Sequence, residues 1–97
     1  MPRELTEAEK EARGRLEYEI QRGMRIAALI NDPVVKETMD GLIHGVQNQW
    51  AAEEDQSKRE VLWYRFNALR ALVVALGQIV DTGKMANIQL NGPEKHG

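Results

Sequence analysis

The sequence has no cysteine, a single serine and no long apolar run, and each shortage excludes a class of protein. Without cysteine the chain can form neither a disulfide nor a thiolate metal site. The longest apolar-rich stretch, residues 57–84, is interrupted by Asn67, Arg70 and Gln78, so we expect no membrane-spanning helix. No lysine- or arginine-rich run is present and the formal net charge is −2, which predicts no direct nucleic-acid binding. The N-terminus lacks the apolar core of a signal peptide, which predicts a cytoplasmic origin.

The composition is that of a folded chain, with 42% hydrophobic and 29% charged residues. Ninety-seven residues predict one domain, residues 1–97, with residues 1–5 and 92–97 as loose termini. A domain of this size buries a small fraction of its surface. We therefore expect partner subunits to contribute to its stability.

The first helix is predicted over residues 7–30. Thr6 and Glu9 have the spacing of a capping box, in which each side chain accepts a hydrogen bond from a backbone N–H of the other residue. Acidic and basic residues then alternate three or four apart, as in Glu9 and Arg13, which favours an exposed helical face. An apolar seam steps by four and three along Leu16, Ile20, Gly23, Ala27 and Ile30.

The second helix is predicted over residues 33–52. Proline suits the first helical position, and Asp32 immediately before Pro33 can cap the new N-terminus. The acidic stretch after Ala51 has no helical periodicity, which is typical of a connector between two helices. The seam of this helix is Val35, Met39, Leu42, Val46 and Trp50, with Ile43 beside it.

The third helix is predicted to begin near Lys58, because Ser57 and Glu60 match a second capping box. Gly83 leaves the C-terminal end of this helix undecided. The helix covers residues 58–82 if this glycine is a C-cap, or 58–90 if it is an interior residue. A continuous helix to Leu90 would be followed by Asn91-Gly92-Pro93, which ends it.

Two apolar stripes run along the third helix, about 100° apart on a helical wheel. One partner helix cannot cover both. The fold is therefore predicted to be all-α: helices two and three form a helical hairpin with coiled-coil-like packing, and the charged first helix packs on it or on a neighbouring copy. The first stripe is Leu62, Phe66, Leu69, Val73, Leu76 and Val80; the second is Val61, Ala68, Leu72, Ala75, Ile79, Ala86 and Leu90.

Catalytic chemistry is scarce. Ser57 is explained as a helix cap, and His44 should face solvent, with only Asp40 near it as a second metal ligand. No carboxylate occupies a predicted apolar seam, where desolvation could tune it for proton transfer. Asp-Thr-Gly-Lys at the end of the apolar stretch lacks the spacing of a phosphate loop. We expect no catalytic residues, no metal, no cofactor and no enzymatic activity.

Aromatic residues cluster around the turn between helices two and three. Trp50 and Phe66 lie on the seams and should pack the closed end of the hairpin, whereas Trp63 and Tyr64 lie off the main seam. Tryptophan and tyrosine are enriched among residues that anchor protein interfaces. The predicted interface residues are Trp63, Tyr64, Leu72, Ile79 and Leu90, with Arg65 and Arg70 as rim charges.

Charge is unevenly distributed. Residues 31–55 carry one basic and six acidic groups, and residues 56–97 carry six basic and three acidic groups. The second helix and its connector thus present an acidic face, formed by Asp40, Glu53, Glu54 and Asp55. Contact between this face and the basic third helix of another copy would be attractive, which favours a head-to-tail arrangement.

Several short motifs follow one another in residues 31–90: Asn31-Asp32-Pro33, Gln49-Trp50, the acidic connector, Lys58-Arg59-Glu60-Val61-Leu62-Trp63 and Thr82-Gly83-Lys84-Met85-Ala86. With these motifs, residues 31–90 resemble small helical proteins encoded among the virion-assembly genes of tailed bacteriophages and prophages.

The resemblance implies a phage-encoded protein made in the host cytoplasm and associated with the virion. Its partners would be itself, as a homo-oligomer, and other virion proteins, in a structural or head-assembly role. The alternative is a phage-encoded inhibitor or adaptor that binds a host protein through the acidic face.

Overall fold

Three helices account for almost all of the described chain. The computed structural model describes residues 4–92 and contains no strand in that range, which confirms the all-α prediction. Most of the two predicted loose termini, residues 1–3 and 93–97, lies outside the described residues. The helices are α1 (Glu7–Asn31), α2 (Pro33–Ala52) and α3 (Gln56–Asn91).

The chain divides into two compact units. Unit 1 comprises Met1–Ala27 and Gln78–Gly97, and unit 2 comprises Ala28–Gly77. Most of α1 and the C-terminal part of α3 thus belong to unit 1. Unit 2 holds α2 and the N-terminal part of α3.

The first two helices begin at the predicted caps. The Thr6 hydroxyl accepts from Glu9 N at 3.1 Å, and the Glu9 carboxylate accepts from Thr6 N at 3.5 Å, as a capping box requires. Asp32 Oδ1 accepts from Val34 N at 2.9 Å and from Val35 N at 3.2 Å. These side chains satisfy backbone donors that have no partner within the helix.

The predicted cap of α3 was wrong. Asp55, rather than Ser57, caps this helix: its Oδ1 accepts from Lys58 N at 3.0 Å, and its carbonyl oxygen accepts from Arg59 N at 2.9 Å. Ser57 lies inside the first turn. The physical reason is the short connector, since only three residues separate α2 from α3 and the helix resumes directly after Asp55.

Gly83 is an interior residue of α3, which continues to Asn91. The helix ends at Gly92, whose φ of 77° is the left-handed conformation that glycine adopts at low cost. Gly92 N donates to Ile88 O at 2.8 Å and so satisfies one of the last carbonyl groups of the helix.

In unit 1, α1 and α3 are in backbone contact at two glycines. A Cβ atom built on Gly83 would lie 2.9 Å from Glu19 O and 3.0 Å from Gly23 Cα, and one on Gly23 would lie 3.1 Å from Ile79 O. Ala86 is 1% exposed one turn further along α3. Leu90 lies in a concavity whose lining also includes Leu5, which precedes α1, and four residues from the beginning of α1: Glu9, Ala12, Arg13 and Leu16.

In unit 2, α2 packs along the first stripe of α3. Leu62 is buried, and Met39 and Ile43 line a concavity together with Val73 and Leu76. Two members of the predicted seam of α2 are exposed, Trp50 and Leu42, and Ile43 takes the place of Leu42. On a helix these neighbours point about 100° apart, so only one of them can face α3.

Replacing Gly83 with alanine should separate α1 from α3 in unit 1. The added methyl group would meet backbone atoms, which cannot move aside as a side-chain end can, so we expect Gly83→Ala to lower the free energy of unfolding by about 1–3 kcal/mol. Chemical unfolding followed by circular dichroism measures this change.

Gly77→Ala is the matched control. Gly77 lies in the same helix, but nothing lies within 4 Å of its built Cβ atom. This substitution should stabilise the protein by about 0.5–1 kcal/mol, since alanine favours the helix over glycine. Equal effects of the two substitutions would contradict the close helix contact.

Candidate association surface

Arg59 fixes the turn between α2 and α3. Its Nη1 donates to Trp50 O at 3.1 Å and to Glu53 O at 2.9 Å, which satisfies carbonyl groups at the C-terminal end of α2. The guanidinium carbon also lies 3.8 Å from the centre of the Trp50 ring. This role was not predicted from the sequence, because Arg59 meets the two carbonyl groups only after the chain has turned.

Three large aromatic side chains beside this turn remain exposed. Trp63 is 54% and Tyr64 is 67% exposed, with ring centroids 5.5 Å apart in an edge-to-face arrangement. Trp50, predicted to pack the closed end of a hairpin, is also exposed, whereas Phe66 is half-buried. The positions of Trp63 and Tyr64 are those expected of residues that lie off the seam, and their role as interface anchors stays a prediction.

Two adjoining concavities share the tryptophans. The apolar concavity has a volume of ≈ 460 Å³, and the polar concavity has a volume of ≈ 370 Å³. Both lie within unit 2, and Trp50 and Trp63 line both. The remaining lining of the apolar concavity is Val46, Gln47, Ala51 and Phe66; that of the polar concavity is Gln56, Arg59, Glu60 and Tyr64.

The second stripe of α3 differs between the units. In unit 1 its members Ile79 and Leu90 are half-buried, and the intervening Ala86 is buried. In unit 2 all of its members are exposed, and Leu72 is 53% exposed. We call these four residues the uncovered stripe: Val61, Ala68, Leu72 and Ala75.

The packing of Ile79 and Leu90 bears on their predicted interface role. Both are partly covered within their own chain, because α1 meets α3 in unit 1. Leu72 has no such cover. Of the three aliphatic residues predicted at an interface, Leu72 therefore offers the most surface to another chain.

Rim charges flank these apolar surfaces. Arg65 and Arg70 are both exposed, and the Arg70 guanidinium lies 5.9 Å from the Phe66 ring. On the acidic face, Asp40 and Glu54 are exposed. Asp55 caps α3 through one carboxylate oxygen, and Glu53 Oε1 accepts from Asp55 N at 3.1 Å, so part of this face also holds the connector in place.

Potential metal ligands are not grouped in residues 4–92. No group of three or more histidine, aspartate or glutamate side chains in this range could hold a metal ion. His44 is exposed, as predicted. None of the three helices has the length and apolarity together that crossing a membrane requires.

Models of known protein families, characterised proteins and solved structures give no match to this chain. The resemblance to phage assembly proteins is therefore still a prediction. The candidate association surface consists of the two tryptophans, the uncovered stripe and their flanking charges.

Replacing Arg59 with methionine should loosen the turn. Methionine keeps the apolar stem of the side chain but removes two hydrogen bonds and the contact of a cation with an aromatic ring, so we expect a loss of about 1–2 kcal/mol in the free energy of unfolding. Near-ultraviolet circular dichroism should also show a less ordered Trp50.

Lys84→Met serves as the comparison, because Lys84 is exposed and lies in the same helix. Its effect on the free energy of unfolding should stay within about 0.5 kcal/mol. If Arg59→Met is equally mild, Arg59 does not hold the turn.

Proposed function

We propose that this protein is a phage-encoded, non-enzymatic component of the virion or of head assembly, and that it acts through oligomeric helix packing. The observation that carries the proposal is the apolar surface that α3 leaves uncovered in unit 2. Across residues 68–77 only Arg70 is charged, yet seven of these ten residues are exposed. A helix that is apolar around most of its circumference is ordinarily buried.

The small core supports an association role. Among residues 4–92 the buried hydrophobic residues are Leu62 and Ala86, and no large side chain in that range is fully buried. Covering an exposed valine, leucine or phenylalanine side chain contributes about 1.5–3 kcal/mol when burial is complete. Packing against neighbouring chains therefore offers this chain stability that its own three helices do not supply.

The chemistry of the exposed surface also favours a protein partner. Two tryptophans, a tyrosine and one arginine, Arg59, line the apolar and polar concavities, and these residue types dominate the binding energy of many protein interfaces. The resemblance of residues 31–90 to phage assembly proteins supplies the context in which such a surface would be used.

Mass spectrometry of purified particles tests the proposal. In phage particles from a host that expresses this gene, we expect the protein in a fixed stoichiometry to the major capsid protein, because a structural component occupies repeated positions. Its absence from particles would contradict the proposal. Absence combined with stoichiometric capture of one host protein, lost in a variant with Asp40 and Glu54 changed to lysine, would support the inhibitor alternative.

A substitution in the aromatic surface provides a second test. Trp63→Ala should lower the amount of protein in particles at least about tenfold, since truncating a buried interface tryptophan commonly costs more than 1.4 kcal/mol of binding energy. Met85→Ala is the control, because Met85 is an exposed apolar residue of α3 in unit 1. Equal incorporation of the two variants would show that Trp63 is not an anchor.

A further inference from the structure

Unit 2 carries two apolar surfaces on opposite sides of α3. Trp63 and Leu72 are nine residues apart, which places them about 180° apart around the helix. Trp63 lines both concavities, whereas Leu72 belongs to the uncovered stripe. A partner bound in the concavities therefore leaves the uncovered stripe exposed, and a separate contact is needed to bury it.

We propose that the uncovered stripe of one copy docks over the two tryptophans of the next copy, with Leu72 in the apolar concavity and Arg65 in the polar concavity. This inference deepens the proposed function and rests on it for its biological setting. The molecule bound at the concavities is a second copy of this chain, and the two surfaces together form one repeated contact.

The spacing of the side chains fits the spacing of the concavities. Leu72 and Arg65 are seven residues apart, so they lie on nearly the same face of α3 and about 10 Å apart along it. The apolar and polar concavities adjoin across Trp50 and Trp63. A helix laid over both tryptophans, with its N-terminal direction toward the connector, places one side chain at each.

Charge complementarity selects this orientation. Glu60 lines the polar concavity, and the connector next to it contributes Glu53, Glu54 and Asp55. Arg59, also in that lining, is already held by the carbonyl oxygens of Trp50 and Glu53. Those bonds leave the charge of Arg59 in place, but residues 53–60 carry four acidic and two basic side chains, so their net charge is negative. An incoming Arg65 thus meets a net negative charge and the exposed rings of Trp63 and Tyr64, which favour a cation.

The opposite placement of the two surfaces determines the kind of assembly. In a two-fold dimer the same patch on both copies makes the contact, which cannot bring a stripe and a concavity together when they lie on opposite sides of one helix. The contact is therefore head-to-tail. It generates a closed ring or an open array rather than a dimer.

Native mass spectrometry combined with sedimentation velocity tests the contact in full-length protein. The wild-type chain should form species larger than a dimer as its concentration rises. Leu72→Asp should weaken this association about 10- to 100-fold while the helical signal is retained, because Leu72 is exposed in the free chain. Ile88→Asp, at a position of α3 that is 51% exposed and outside unit 2, should associate as the wild type does.

A charge exchange provides the second arm. Arg65→Glu and Glu60→Arg should each lose association alone, since each places like charges at the contact. Mixed in equal amounts they should assemble again, because the intact stripe of one variant meets the intact concavity of the other and the two changed residues also attract. Failure of the mixture to assemble, or a dimer as the largest wild-type species, would overturn the proposal.

The outcomes separate this inference from the proposed function. If Leu72→Asp associates normally and the protein is still found in particles, the docking mode is wrong and the structural role stands. If the charge exchange works but the protein is absent from particles, the contact is real and the virion role is wrong.

Discussion

The structure depends on how α3 distributes its apolar surface. Two apolar stripes about 100° apart can be buried along their whole length only by two covering helices. Each unit contains only one helix that packs on α3. In unit 2 α2 covers the first stripe, and in unit 1 α1 covers the second. After Val80, polar residues such as Lys84 and Asn91 occupy the face of α3 that the first stripe occupies in unit 2. In unit 1, therefore, only the second stripe has to be covered by another helix. The uncovered stripe of unit 2 is what remains.

The contacts that hold each unit differ in kind. In unit 1 the closest contact is between backbones, since Gly23 and Gly83 bring α1 and α3 together without intervening side chains. In unit 2 the turn is fixed by one guanidinium group, which joins the end of α2 to the beginning of α3. That same group holds the Trp50 ring in place beside Trp63. The exposed aromatic surface is therefore pre-ordered, which lowers the entropy lost when a partner binds.

Local signals in the sequence predicted the class of fold and most helix ends. Thr6 with Glu9 and Asp32 with Pro33 act within four residues, so the sequence contains all that is needed to recognise them. The start of α3 could not be decided in this way, because Ser57 and Asp55 are both suitable caps. The role of Gly83 could not be assigned from the sequence either, because the backbone that leaves no room for its side chain includes that of Gly23, 60 positions earlier.

The candidate surface was predictable only in part. Helical periodicity placed Trp63, Tyr64 and Leu72 off the main seam, and all three are exposed. The same periodicity put Ile79 and Leu90 on one stripe with Leu72, but it contains no information on where that stripe meets α1. Arg59 was missed because its partners are backbone carbonyls, which have no sequence signature.

In the proposed assembly, another chain covers the tryptophan surface of unit 2. Trp50 and Trp63 are the only tryptophans, so fluorescence excited selectively at tryptophan reports on this surface alone. As the wild-type protein is concentrated, we expect a shift of emission to shorter wavelength and a loss of quenching by iodide. Emission and quenching that stay constant across the concentrations at which larger species form would show that the tryptophan surface is not covered.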